Sequence, residues 1–344
     1  MQPHDPTRPS IDPRLLIEQH GVEGLAALLS AVGYIPQWRI LRDLKHSLRS
    51  RKPLLIEGPR GGGKTQLAEA LAEACNLTTF YLQGTEELTL ADVLYSWDRE
   101  EQRELVREER LAGTSRAERQ AKKYTREFLI LGEALGAFDY AETAEVPPIL
   151  IIDEADKLTE KIEDMLLQLL GRGWASVPRL RCNIGVTDPG RWPVVIILSN
   201  NIRHELSAPL RSRCIYTWLE PPTPLEEVCI LHTRVPEASP SLLQQLAKII
   251  NHIRLDMPQV RDKPGLRESI DLLKIFVQDG IEELTAEVIE EYLSFLGKKP
   301  KELRNLKEGT GRLEWAARQP ETDIDELVMR LCGEVTDDIL EEAA

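Results

Sequence analysis

The stretch LLIEGPRGGGKTQ, residues 54–66, decides the fold. Leu54-Leu55-Ile56 reads as a short apolar strand, and the glycine-rich turn behind it opens into LAEALAEAC, which has helical spacing. Between them Gly58-x-x-x-x-Gly63-Lys64-Thr65 is the phosphate-binding P-loop pattern. The turn Gly58, Pro59, Arg60, Gly61, Gly62 and Gly63 can wrap closely enough to aim backbone N–H groups at phosphate oxygens. The helix that begins around Lys64, Thr65 and Gln66 adds the positive end of its dipole. Lys64 supplies a point charge for the β and γ phosphates, and Thr65 a hydroxyl for Mg²⁺. A nucleoside triphosphate with Mg²⁺ is the expected ligand.

Composition sets the frame. The 344 residues suffice for about two domains, and 42% hydrophobic content supports a sizeable core. A net charge of −14 argues against a chain-wide nucleic-acid footprint, which would be basic. The five cysteines, Cys75, Cys182, Cys214, Cys229 and Cys332, lack metal-ligand spacing and read as reduced thiols. There is no basic-then-apolar leader pattern and no run of about 18 apolar residues, so a soluble, cytoplasmic protein without a membrane partner is expected.

A second strand is expected over Thr78–Leu82 and a helix over Leu88–Trp97. Residues 98–128 are dense in both charge signs and read as exposed helix, with an interaction arm as the alternative. Ile149-Leu150-Ile151-Ile152 is a continuous apolar run of the kind buried on both faces of a parallel sheet, and it ends in Asp153-Glu154. Ligands bind at the carboxyl ends of such strands. Asp153 is therefore a candidate for the Mg²⁺ shell, and Glu154 for the group that orients or deprotonates the attacking water.

A helix over 158–170 follows, with Asp156 expected to cap it, then a hairpin excursion within 174–190. Val194–Leu198 is another buried-type strand, ending in Ser199-Asn200-Asn201, whose amides could reach the γ phosphate or the water. In LSAPLRSRC, residues 206–214, Arg211 and Arg213 lie two apart and on a helix face different ways. One can pair locally while the other points outward toward a nucleotide held by a neighbouring subunit.

Before the P-loop, residues 1–13 carry four prolines and are expected to form a disordered arm. Leu15–Leu29 has helical spacing broken at Gly21 and Gly24, and Trp38–Leu48 reads as a helix. Tyr34 and Ile35 are candidates for contact with the base, with plain core packing the alternative. Beyond the stiff break Pro221-Pro222-Thr223-Pro224, helices are expected over Leu242–Ile253, Leu266–Val277 and Ala286–Leu296, with two further helical pieces in 297–344.

These motifs, together with YLQGTEELTLADVLYSWD (81–98), PPILIIDEADK (147–157), VVIILSNNIRHELSAPLRSRC (194–214) and KPGLRESIDLL (263–273), resemble those of AAA+ ATPases. Within that group the chain resembles the MoxR type, and most closely the branch of CoxD-type maturation chaperones, over roughly residues 30–295. The resemblance implies an α/β fold: a P-loop NTPase αβα sandwich with a parallel sheet, plus a C-terminal helical lid domain. It implies an arm and helix (1–30), a nucleotide-binding domain (31–220, with inserts near 84–145 and 174–193), the lid (221–297) and an extension (298–344).

The resemblance also assigns Gly58–Thr65 as Walker A, Asp153 and Glu154 as Walker B, Asn200 as the first sensor and Arg213 as the trans-acting finger, with Arg211 second. The family's second sensor, an arginine early in a lid helix, falls here on Ser269, and Arg267 is displaced from it by two. Arg267 is carried as a candidate. The family implies a homo-oligomeric ring, usually of six, that hydrolyses ATP to remodel or activate a protein client or metalloenzyme, often with a von Willebrand A domain partner. Two other functions stay open: a nucleotide-gated scaffold without turnover, and a nucleic-acid motor, suggested by the DEAD spelling of residues 153–156.

Overall fold

A computed structural model of the chain describes residues 4–200, 203–320, 323–324 and 326–328. Asn201, Cys332 and the acidic end of the C-terminal extension lie outside the described residues. By internal contacts the chain divides into two units, one made of residues 1–32, 39–58 and 65–218, the other of 33–38, 59–64 and 219–344.

The first unit opens with residues 4–12, which the proline content marked as a disordered arm. They are instead fastened to the turn around Asn76. Asn76 Nδ2 donates to the carbonyls of Asp5 (2.9 Å) and Arg8 (2.7 Å), its Oδ1 accepts from Asp5 N–H, and Ile11 N–H donates to Cys75 O. The prolines thus stiffen a strap whose polar groups are taken up by the folded body.

Helix α1 (Pro13–Ala31) follows, with non-helical dihedrals at Gly21 but not at Gly24. Next come α2 (Trp38–Ser50), β1 (Leu54–Glu57), α3 (Lys64–Ala74) and β2 (Thr79–Gln83). The helix expected over Leu88–Trp97 shrinks to α4 (Leu90–Val93). Tyr95–Trp97 instead forms β3, paired antiparallel with β4 (Leu129–Leu131). The charged stretch between them is helical as two pieces, α5 (Arg99–Leu111) capped by Asp98, and α6 (Arg116–Lys123) capped by Ser115 and Glu118. After α7 (Glu133–Thr143) come β5 (Ile149–Asp153), α8 (Glu160–Arg172), the hairpin β6 (Trp174–Val177) and β7 (Cys182–Gly185), then β8 (Val194–Ser199), α9 (Ala208–Arg213) and β9 (Ile215–Trp218).

Five strands form one parallel sheet in the order β2-β5-β8-β1-β9. Leu55, Leu82, Leu150, Ile152, Val195 and Ile197 on one face share a core with Leu135 and Phe138 of α7 and Ile162, Leu166 and Leu169 of α8. Leu54, Ile56, Ile149, Ile151 and Ile196, which alternate with them, are equally buried. Both faces are therefore covered, as the unbroken apolar runs require. The register aligns Gln83 with Asp153 and Glu57 with both Ser199 and Trp218, which brings the polar residues ending these strands to one edge of the sheet. This is the αβα sandwich of P-loop NTPases.

The second unit is helical: α10 (Pro224–Arg234), α11 (Pro240–Asp256), α12 (Leu266–Gln278), α13 (Ala286–Glu291), α14 (Leu293–Leu296), α15 (Pro300–Glu308) and α16 (Thr310–Arg318). The helix expected over Ala286–Leu296 is broken at Tyr292. Leu306, Leu313 and Ala317 enter the same core as Leu246, Ile250, Leu273 and Phe276, so this unit continues past residue 297. Glu227 and Ser269 lie buried in it. Arg254 donates to both Glu227 oxygens (2.6 and 3.1 Å), and the Ser269 hydroxyl donates to Oε1 (2.7 Å). Among the described residues no helix is long and apolar enough to cross a membrane.

Candidate active site

Strand β5 ends at Asp153, and the chain turns at once. Glu154 takes a left-handed conformation (φ 50°), rare for a residue with a side chain, and a single 3₁₀ turn over Ala155–Lys157 follows. The turn is held from both sides. Gly84 N–H donates to Asp153 O at 2.7 Å, and Lys157 N–H donates to Glu154 O at 2.9 Å. A Cβ on Gly84 would stand 2.3 Å from Glu154 O, so only glycine lets β2 exit this close.

Two side-chain constellations result. Asp153 Oδ2 accepts the Thr65 hydroxyl at 2.9 Å and the Tyr81 phenol at 2.7 Å. Burial, and then the carboxylate it bonds, push the Tyr81 phenol up, so it is a protonated donor at any ordinary pH. Glu154 Oε2 accepts Gln83 Nε2 at 2.6 Å and the Lys157 ammonium. The carboxylates are thus oriented separately, one by a hydroxyl pair and one by an amide and a cation. The Thr65 hydroxyl and the Asp153 carboxylate are hard oxygen donors held together, the kind of ligand Mg²⁺ takes, and the residues fit that ion.

In the P-loop, Gly61 (φ 71°) and Gly63 (φ 89°) adopt left-handed backbone that a side chain would resist. Lys64 is buried, and its ammonium donates to Pro59 O at 2.8 Å. Gln66 and Arg60 are exposed and Pro59 is half-buried. Gly61 and Arg60 lie against Gly265 and Glu268 at the start of α12. A Cβ on Gly265 would stand 3.2 Å from Arg60 O and 3.4 Å from Gly61 Cα.

Asn200 follows β8 directly, and its N–H donates to Asp156 Oδ1 at 3.2 Å. Asp156 is buried in this bond and does not cap the next helix. Leu158 is extended, and α8 starts only at Glu160 behind Thr159. The two arginines of α9 divide. Arg211 pairs with buried Glu57 (3.1 Å), whereas Arg213 is exposed and reaches back to Pro209 O at 3.5 Å.

Other candidates lie elsewhere. Tyr34 is buried in the second unit, its phenol pushed up by burial and then by Glu226, and Ile35 is half-buried. Arg267 is 83% exposed and faces Asp271 at 3.8 Å, so the segment beside Gly61 contains Gly265 and Glu268 but not the Arg267 guanidinium.

Tyr81, Gln83, Gly84, Lys157 and the bonded role of Asp156 were missed by sequence reasoning. For Gln83 and Gly84 the sequence marks a strand end, though not which strand lies beside it. QG directly follows an apolar strand, and its polar end has to meet the carboxyl end of a neighbouring strand in a parallel sheet.

Residues 53–214 match the family described as AAA domain (dynein-related subfamily). Among solved structures, the Thermotoga maritima RuvB Holliday junction branch migration motor is similar at 16% identity and a TM-score of 0.42, covering 78% of this chain and 72% of that one. A single-substitution mutant of the same protein is similar at 17% identity and a TM-score of 0.43, covering 82% and 73%. No curated protein matches the chain.

Proposed function

We propose that the chain is an ATP-hydrolysing AAA+ remodelling protein of the MoxR type. In this reading it works as a homo-oligomeric ring of about six subunits on a protein client or metalloenzyme, with a von Willebrand A domain partner. The observation that carries the ATPase reading is the paired arrangement at Asp153 and Glu154. One carboxylate is bonded to the P-loop hydroxyl of Thr65, and the adjacent one is held apart by Gln83 and Lys157. The family match over 53–214 supports the class. The protein client and the partner rest on the MoxR-type motifs, and a net charge of −14 favours a protein client over nucleic acid.

In this mechanism the backbone N–H groups of Gly61, Gly62 and Gly63 bind phosphate oxygens, and the Gly62 N–H and the Lys64 ammonium leave Pro59 O, the ammonium to meet the β and γ charge. Thr65 and Asp153 would hold Mg²⁺, which neutralises charge on the phosphate oxygens when bound. Glu154 accepts a proton from the water that attacks the γ phosphorus, as the bond to the leaving ADP oxygen breaks. Asn200 orients that water. Arg213 is assigned to the neighbouring subunit's nucleotide, because Arg211 is committed to Glu57. Ile35 and Tyr34 are proposed for the base, with half-buried Ile35 the more accessible. Arg267, turned to solvent, is the weakest member of the set.

The test is steady-state phosphate release with Mg²⁺-ATP, beside equilibrium binding of a fluorescent ATP analogue. Wild type is expected to turn over. Glu154→Gln is expected to bind the analogue normally and lose at least about a hundredfold in kcat. Retained turnover in that variant removes Glu154 from the chemistry, and binding without turnover in wild type makes the chain a nucleotide-gated scaffold.

A further inference from the structure

Strand β1 is buried throughout, yet it ends in a carboxylate. Glu57 is 1% exposed and stands immediately before Gly58, the first residue of the phosphate loop. A charge in that position is costly unless it is paired. Its partner is Arg211, whose Nη1 donates to Oε1 at 3.1 Å. The Arg211 guanidinium also lies over the Tyr216 ring, 5.2 Å from its centroid. Burial, then Glu57, push the Tyr216 phenol up.

Arg211 sits in α9, a helix of six residues, far too short to be stable by itself. Three fixings hold it. At its start, Ser207 N–H donates to the buried Glu163 carboxylate at 2.8 Å. In its middle, Leu210 is fully buried. Near its end is the bond to Glu57. Arg213 follows two residues later, exposed, and takes its direction from the helix so fixed.

We propose that Glu57 and Arg211 form a strut between the strand that enters the phosphate loop and the helix that presents Arg213. Arg211 is then a positioning residue: it touches no nucleotide and acts through Arg213. This rests on the ATPase reading above and assigns a way for one subunit's phosphate loop to set the arginine it offers to the next. A displacement of the phosphate loop on nucleotide binding or release is transmitted through Glu57 to α9, so the strut links a subunit's own nucleotide state to its neighbour's hydrolysis.

The test compares wild type with Arg213→Ala, Arg211→Met, Arg211→Lys, the double variant Glu57→Gln/Arg211→Met and the double variant Arg211→Met/Arg213→Ala. Arg211→Met is expected to lower kcat about tenfold with KM for ATP unchanged within about twofold. Arg211→Lys recovers part of the loss. Glu57→Gln/Arg211→Met, which leaves no unpaired buried charge to disturb folding, shows the same loss as Arg211→Met. Adding Arg213→Ala to Arg211→Met brings kcat to the Arg213→Ala value and no lower. Multiplicative losses in that double variant, or wild-type kcat in Arg211→Met, overturn the proposal.

Hydrogen exchange separates failure of the strut from failure of the ATPase reading, because it needs no turnover. Amides of residues 211–214 should exchange about tenfold faster in Glu57→Gln/Arg211→Met, with those of β5 unchanged. Unchanged protection across α9 overturns the strut even if wild type hydrolyses ATP. If wild type shows no turnover, the ATPase reading falls and the strut is judged on this exchange alone.

Discussion

Tyr81 donates its phenol proton into the same Asp153 oxygen that the Thr65 hydroxyl bonds. In the proposed mechanism that oxygen faces a divalent cation, so the phenol competes with the ion for its lone pairs. Replacing the phenol removes a hydrogen bond of about 1 kcal/mol net. Tyr81→Phe is therefore expected to lower the Mg²⁺ concentration for half-maximal ATP binding by about two- to tenfold. A Mg²⁺ titration of analogue binding reads it directly, and an unchanged midpoint would place Tyr81 outside the metal's surroundings. The residues read from local motif alone, Lys64, Thr65, Asp153 and Glu154, were legible because each motif carries its own spacing and its strand or helix context. Tyr81 and Gln83 were not, because their roles depend on which strand lies beside β5, and nothing local in residues 79–83 states that. The division between Arg211 and Arg213 was half legible. Their spacing showed that they face different ways, but choosing the inward one required buried Glu57, 154 positions away.

At the scale of elements, the site depends on how closely β2 and β5 leave the sheet together. Gly84 is the point of contact, with a Cβ there 2.3 Å from Glu154 O and 2.9 Å from Asp153 O, both backbone atoms that cannot swing aside. Gly84→Ala is expected to cost about 1–3 kcal/mol in denaturant unfolding and to displace Glu154 enough to depress turnover. Loss of neither would mean that the strands separate at no cost. The strap of residues 4–12 makes a second case. Asn76 holds it while sitting in left-handed backbone (φ 49°). Asn76→Ala removes the bonds and strains the turn, whereas Asn76→Gly removes the bonds alone. Both should accelerate amide exchange at Ile11, and the alanine variant should lose about 1 kcal/mol more stability than the glycine variant. Proline content misread this strap because a segment without its own apolar periodicity can still be ordered by donors and acceptors elsewhere. The same limit hid β3 and β4, three residues each and separated by the 31 residues 98–128, whose pairing no local window contains. Strand β9 was missed for another reason. It alternates exposed Tyr216 and Trp218 with buried Thr217 at the sheet's edge, and so lacks the apolar run that marked its neighbours.

For the molecule as a whole, the question is whether one chain contains a complete site. Lys64, Thr65, Asp153, Glu154 and Asn200 all come from the chain that would hold the nucleotide, but Arg213 is exposed, its guanidinium beside Gly171 of α8, while Arg211 has taken the place beside Glu57. Edge strand β9, next to it, exposes Tyr216 (45%) and Trp218 (37%), large aromatic side chains of the kind that interfaces bury. An exposed arginine beside an exposed aromatic edge is the arrangement expected of a surface completed by another copy of the chain. Light scattering with and without ATP tests this. Wild type and Glu154→Gln should shift from a small species to a ring of about six subunits when ATP is added, more persistently in Glu154→Gln because its nucleotide is not consumed. Arg213→Ala should still bind ATP but lose turnover by about a thousandfold, the scale of an arginine that stabilises transferring phosphoryl charge. Mixing the two variants then decides the geometry. An Arg213→Ala subunit has an intact Glu154, and a Glu154→Gln subunit has an intact Arg213. A mixed assembly therefore regains some turnover where the second supplies its arginine to the first. Full inactivity of every mixture, with assembly intact, would mean that Arg213 acts within its own chain, and a monomer under all nucleotide conditions would remove the shared site altogether.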